Sequence, residues 1–208
     1  MLLLKNKPLV QNLKSNYVRI EELILEMKEK KLTGFIEVKL KNSKDVLLYN
    51  SGKVVKVLRI DHDVHITDKN SVVFDLVRVG AVFSVYEMKE NFVKMILFSI
   101  ENEPMYKNLT TEFIDIRKLM KKLQKDEFNG VIHVYSSDCE GGILMESGLP
   151  SESVYMEKDI IEEGAEALEN IVRESERRIA NVDVFTDKKK KVVYPKENKL
   201  FKKEEGKQ

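Results

Sequence analysis

GFIEVKLKNSKDVLLYNSGKV runs from Gly34 to Val54, and GVIHVYSSDCEGGILMESGLP runs from Gly130 to Pro150. Each begins with glycine, alternates apolar and other residues, passes a polar turn, resumes an apolar run and reaches Ser-Gly. Period-two alternation marks a strand with one buried face, and Ser-Gly between apolar runs marks a tight hairpin in which glycine supplies positive φ. The two stretches stand 96 residues apart, as do Gly52 and Gly148. Gly34, Gly52, Gly130 and Gly148 are therefore the structural turn residues.

The register extends outward without a gap from Met1–Ile60 onto Leu97–Met156. Twelve identical pairs lie along it, among them Pro8/Pro104, Asn12/Asn108, Leu13/Leu109, Ile20/Ile116, Leu23/Leu119 and Ile36/Ile132. Conservative pairs such as Met27/Leu123 and Leu32/Phe128 keep the periodicity. The chain reads as a tandem duplication. Beyond Ile60 the register slips: Val82 aligns with Val182, an offset of 100, which implies four extra residues in the second copy.

Each copy yields the same elements. Ile20, Leu23, Ile24 and Met27, like Ile116, Leu119, Met120 and Leu123, recur at helix spacing. Ser15, Asn16, Thr111 and Asp115 are candidate N-caps. Strands follow from Gly34 and Gly130, then Val46–Tyr49 and Ile143–Met145, then Val54–Ile60 and Ser153–Met156, with Pro150 marking an edge position. A second helix is expected over 70–79 and 159–178. Closing hairpins are expected from Val82–Met88 with Phe92–Ile100, and from Val182–Phe185 with Lys191–Tyr194. The expected fold class is α+β: two homologous domains, each a mostly antiparallel sheet of about five strands with two helices. The bounds are 1–96, 97–194, and a Lys-rich disordered tail over 195–208.

The order of elements is similar to that of the DUF4388, or PATAN, domain family. IEELILEMKEKKLTGFIEV and VLLYNSGKVVKV carry the resemblance in the first copy. IRKLMKKLQKDEFNGVIHV, GILMESGLPSESVY and EEGAEALENIV carry it in the second. Thr33-Gly34 and the Gly164-Ala165-Glu166-Ala167 entry to a helix resemble that family's marks. The resemblance implies a bacterial signalling or regulatory context, with domains that mediate protein contacts and no catalytic residues to carry over.

Composition excludes several function classes. Thirty-six basic and 35 acidic residues nearly cancel, so no global field draws the chain to nucleic acid or membrane. Cys139 is the only cysteine, which excludes an intrachain disulfide and fits a reducing compartment. MLLL is interrupted by Lys5 and Lys7, and no apolar run reaches the ~20 residues of a membrane helix. The expected location is the cytoplasm.

Asp61-His62-Asp63-Val64-His65 is the most chemical-looking stretch, because two imidazoles and two carboxylates within five residues suit zinc, nickel or copper. The aligned Glu157–Ile161 has no histidine, and a solvated loop is the preferred reading. His133 is expected exposed, on the strand face opposite Ile132 and Val134. Cys139 lies in a polar turn without a neighbouring base, so an exposed, oxidisable thiol is expected rather than a nucleophile. Gly141-Gly142 lacks the surroundings of a phosphate loop. The eight carboxylates between Glu157 and Glu176 suit the wet face of a helix. From Asp187 to Gln208, nine lysines face four acids, a solubilising run.

The sequence thus points to a non-catalytic protein-interaction module with no cofactor. Its expected partner is another protein, of a signalling kind, and homo-oligomerisation is compatible with it. Weak nucleic-acid association through the tail and a metal-binding enzyme centred on His62 and His65 are the alternatives.

Overall fold

The structure is a computed structural model, and it describes residues 5, 8–16, 19–62, 64–67, 81–158 and 160–186. Among these residues it is an α+β fold with two six-stranded antiparallel sheets and four helices. The first half contains β1 (Val10–Lys14), α1 (Ile20–Glu29), β2 (Gly34–Lys39), β3 (Lys44–Asn50), β4 (Lys53–Ile60), β5 (Val64–Ile66) and β6 (Val82–Glu87). Helix α2 (Glu90–Glu101) follows. The second half contains β7 (Pro104–Thr110), α3 (Ile116–Lys125), β8 (Gly130–Tyr135), β9 (Cys139–Glu146), β10 (Leu149–Glu157), β11 (Ile160–Glu163), α4 (Gly164–Arg177) and β12 (Asn181–Thr186). The strand order is β1-β6-β2-β3-β4-β5 in one sheet and β7-β12-β8-β9-β10-β11 in the other.

The layers follow from which side chains alternate to which face. Ile36, Val38, Leu47, Tyr49 and Phe83 leave the first sheet on one side and pack with Leu23 and Met27 of α1. Phe35, Val46, Leu48, Leu58 and Tyr86 leave it on the other side and meet Phe92, Val93, Met95 and Ile96 of α2. The same central cluster takes Val131, Leu144 and Val154 from the second sheet. That sheet sends Ile132, Ile143, Met145 and Val182 to its far face, beneath α3 and α4. The order of layers is α1, sheet, α2, sheet, then α3 with α4.

Both faces of each sheet are thus covered, which is why Gly34–Val38 and Gly130–Val134 are buried without a break. Polar residues on these strands are then costly unless paired. Asp45, fully buried, receives two hydrogen bonds from Arg59 on the neighbouring strand, Nε to Oδ1 and Nη2 to Oδ2, each 2.9 Å.

Several expectations change. Each sheet has six strands rather than about five, because β1 and β7 at one edge and β5 and β11 at the other were not expected as strands. In β1 and β7 the alternation breaks at Asn12 and Asn108, both with φ of 54°, and the pairing shifts there. β5 has only three residues, and β11 opens the segment expected as helix from 159. Phe92–Ile100 was expected as a strand and is helix α2, and the expected bound between 96 and 97 falls inside it. Its run FVKMILFSI is apolar at all but Lys94 and Ser99 because sheets pack on two of its faces, and so broad an apolar surface obscures the helical period.

Asp115 does cap α3, its side chain accepting from the Lys118 N–H at 3.1 Å, whereas Arg19 precedes α1 without a side-chain cap. Ser15 and Thr111 instead accept from the backbone N–H groups of Ala81 and Ala180. The closing strands also stand 99 apart rather than 100, since Phe83 faces Val38 while Val182 faces Val134. The helix expected over 70–79, the strand expected over 191–194 and the tail over 195–208 lie outside the described residues.

Gly34 and Gly130 begin the central strands, where the next strand's backbone passes close. A Cβ on Gly34, at φ of 147°, would stand 2.1 Å from the Tyr86 carbonyl oxygen; one on Gly130 would stand 2.0 Å from that of Phe185. Gly52 and Gly148 hold φ of 77° and 80° in the β3–β4 and β9–β10 hairpins. Gly164, with φ of 69°, has open space around its missing Cβ. Gly34→Ala should therefore cost at least about 2 kcal/mol in urea denaturation of the full chain, through backbone collision. Gly164→Ala should cost only about 1 kcal/mol, for left-handed φ alone. Equal losses would refute the close-approach argument.

Candidate functional site

The Asp61–His65 stretch forms the β4–β5 hairpin. Asp61 Oδ1 and His65 Nε2 lie 3.7 Å apart, both substantially exposed, while His62 sits in the turn. Asp63 lies outside the described residues. Among the described residues no group of three or more His, Cys, Asp or Glu side chains is placed to hold a metal ion. The hairpin therefore brings one carboxylate to one imidazole and gathers no third ligand among them.

His133 is nine-tenths buried, not exposed as expected. It does point away from Ile132 and Val134, but that face of its sheet lies against the middle layer rather than in water. Its Nε2 is 2.7 Å from Glu140 Oε1, and its ring stacks on Tyr135 with centroids 4.8 Å apart. Burial works against ionisation of Glu140, yet the hydrogen bond from His133 and further positive charge outweigh it and hold the carboxyl down to about 2.

The positions 96 residues earlier are Glu37 and Lys44, where the carboxylate stands on the other strand of the pair. Glu37 is fully buried, with Lys44 and Lys39 at 3.6 Å and Lys5 at 2.5 Å. Burial raises its pKa, and the three lysines bring the balance below the ordinary carboxylate value.

Cys139 is half-buried rather than exposed. It lies on β9, on the face turned to α4, packed against the cluster beneath the helices, and its Sγ is 3.3 Å from Ser136 Oγ. Its cross-strand partner is Glu157, whose Oε2 accepts from the Tyr155 hydroxyl at 3.0 Å.

A groove of about 700 Å³ lies between α3 and α4, over the far face of the second sheet. Met120, Met145, Pro150, Leu168 and Val172 form its apolar surface. Arg117 and Lys121 rise on the α3 side, and Glu169, Arg173 and Glu176 on the α4 side. Arg117 Nε reaches Glu176 Oε1 at 3.1 Å and bridges the two helices. Helix α3 itself carries five basic residues and no acidic one. A smaller cavity of about 200 Å³ shares Val172 and Glu176 and continues toward Thr111 and Ile114. Leu149, between Gly148 and Pro150 of the groove, Phe113, next to Ile114 of the smaller cavity, and Ile179 are exposed apolar residues.

None of these groove residues stood out in the sequence as a site. IRKLMKKLQK announces an amphipathic helix, and the buried stripe of Ile116 and Leu123 is legible in it. That Met120 and Lys121 border a groove depends on where α4 lies, and the helical pattern of α3 contains no information on that.

The chain matches no family model, no curated protein and no solved structure. No helix among the described residues is long and apolar enough to cross a membrane.

Because the folded carboxyl of Glu140 is held below its unfolded value, the stability it contributes is complete above the ordinary carboxylate range. That contribution is lost as pH falls toward 2. The stability gap between the wild-type chain and Glu140→Gln should be widest near neutral pH and should close progressively below about pH 4.5. Denaturant midpoints at stepped pH measure it; a gap that stays constant down to pH 2 would show that the carboxylate contributes nothing.

Proposed function

We propose that the chain is a non-catalytic protein-interaction module and that its docking surface is the groove between α3 and α4. The observation that carries this reading is an open, methionine-lined groove about 700 Å³ in size with a helix of five basic residues along one wall. Methionine suits adaptable contact surfaces, since its unbranched side chain can repack around different shapes. The fitting occupant is an amphipathic helix of a partner protein. Its apolar stripe would lie on Met120, Leu168 and Val172, and its acidic flank toward Lys121 and the α3 surface. Helix-in-groove binding of this kind needs an apolar floor for affinity and flanking charge for orientation, and both are present.

The same proposal includes DUF4388-like ancestry and a signalling role in the cytoplasm. It also includes tandem duplication, which the equal strand order supports. Positive φ recurs at Asn12 and Asn108, Lys31 and Glu127, and Ser51 and Ser147. The Gly52 N–H donates to the Leu32 carbonyl, and the Gly148 N–H to that of Phe128. The metal-enzyme reading gains no third ligand among the described residues, and the nucleic-acid reading rests on a tail that lies outside them.

The test places a photo-reactive residue at Lys121 and, as a control, at the exposed Glu29 of α1, in the full chain within cells of the source organism. The expected outcome is cross-linking of one protein from position 121 alone, through a segment that is acidic and amphipathic, and its loss on Met120→Glu. Equal yields from both positions, or cross-linked segments without that character, would refute the groove as the docking surface.

A further inference from the structure

A second cleft, of about 540 Å³, opens between the sheets. Strand β5 supplies Val64, His65 and Ile66, the last turn of α2 supplies Ser99 and Ile100, and the second sheet supplies His133 and Phe185. Its size is that of small-molecule sites, and its walls have their composition, mainly apolar with a few converging polar groups. We infer that this cleft binds a small, largely apolar molecule bearing one N–H or O–H donor, such as an indole or a phenol.

Three observations select that chemistry. First, two of the polar groups lining the cleft can accept a hydrogen bond. Ser99 donates its hydroxyl proton to the Met95 carbonyl at 3.0 Å, which leaves its oxygen lone pairs free. His133 Nε2 lies 2.7 Å from the carboxylate of Glu140, an acceptor only, so Nε2 carries a proton there and the singly protonated ring presents Nδ1 as an acceptor.

Second, the surroundings disfavour an anion. The C-terminal end of α2 points its negative dipole end here.

Third, β5 is built to be covered. Its Val64 and Ile66 are 42% and 57% exposed, facing the other sheet. At the position matching Val64, β11 carries Ile161, which packs into the central cluster. One half fills this place with its own side chains, and the other leaves apolar surface above a cleft.

The chain contains no tryptophan, so bound indole can be followed by its own emission. The test titrates the full chain with indole, with 1-methylindole, which keeps the shape and removes the donor, and with benzoate as an anionic control. The expected result is saturable indole binding with a blue-shifted emission, about tenfold weaker binding of 1-methylindole, and no competition by benzoate. Ile66→Asp, at an exposed position, should weaken indole by about tenfold or more while circular dichroism stays unchanged. Met120→Glu in the other groove should leave indole binding intact. Absence of saturation, equal affinity for indole and 1-methylindole, displacement by benzoate, or binding indifferent to Ile66→Asp would each overturn the inference. So would loss of indole binding on Met120→Glu. His133→Phe, if folded, should abolish the preference for indole over its methylated analogue.

Discussion

Helix α2 lies between the inner faces of two sheets, and the rest of the molecule is arranged around that contact. No residue from Asn91 to Ile100 is fully exposed, and Phe92, Val93, Met95 and Ile96 are almost entirely buried. Each such side chain contributes about 1.5–3 kcal/mol when removed from water. Without α2, both sheets would present a broad apolar face to solvent. Ion pairs at the margin fix its position: Lys89 reaches Glu163 at 2.7 Å, Lys94 pairs with Glu146, and Glu101 pairs with Lys56. These are surface pairs of small individual worth, and their role is to set position rather than to hold the layers together.

This one contact explains what could be read in the sequence and what could not. The central strands and their glycine hairpins were legible because their periodicity and turn chemistry are local. The outermost strands were not: β1 and β7 are irregular at Asn12 and Asn108, and β5 is three residues long, so their existence depends on a neighbouring strand's free edge. Helix α2 was misread for a related reason. Its pattern answers to two sheets at once, and a single-face helical template does not describe it. His133 was assigned to the correct face, but exposure was inferred from alternation alone. Alternation shows which way a side chain points; whether water or another layer waits there depends on the tertiary fold. The groove between α3 and α4 was invisible for that reason too, since it is a relation between two elements.

The inner polar positions show how equivalent places can diverge under a shared constraint. A sheet covered on both faces cannot leave a lone charge at position 37 or at position 133. The first half answers with Glu37 surrounded by Lys5, Lys39 and Lys44; the second answers with His133 held by Glu140. Pairing is what the buried environment demands, and which strand supplies the carboxylate is free to change. A comparable exchange occurs one strand away, where the backbone N–H of Asn12 finds the Ser84 hydroxyl and that of Asn108 finds the Asp183 carboxylate.

Divergence of this kind separates the places that hold the fold from those available for recognition. The central apolar cluster and the glycine approaches leave little latitude, because a Cβ or a missing side chain there disturbs two layers together. The outer surface of the second half is under no such restriction. There α3 is wholly basic in its charges while α4 mixes both signs, and the groove between them remains open above a sheet whose other face is already packed. A partner seated in it would cover apolar surface without disturbing the central layer. Recognition can therefore change through residues such as Lys121 and Glu169 while the stack beneath stays constant.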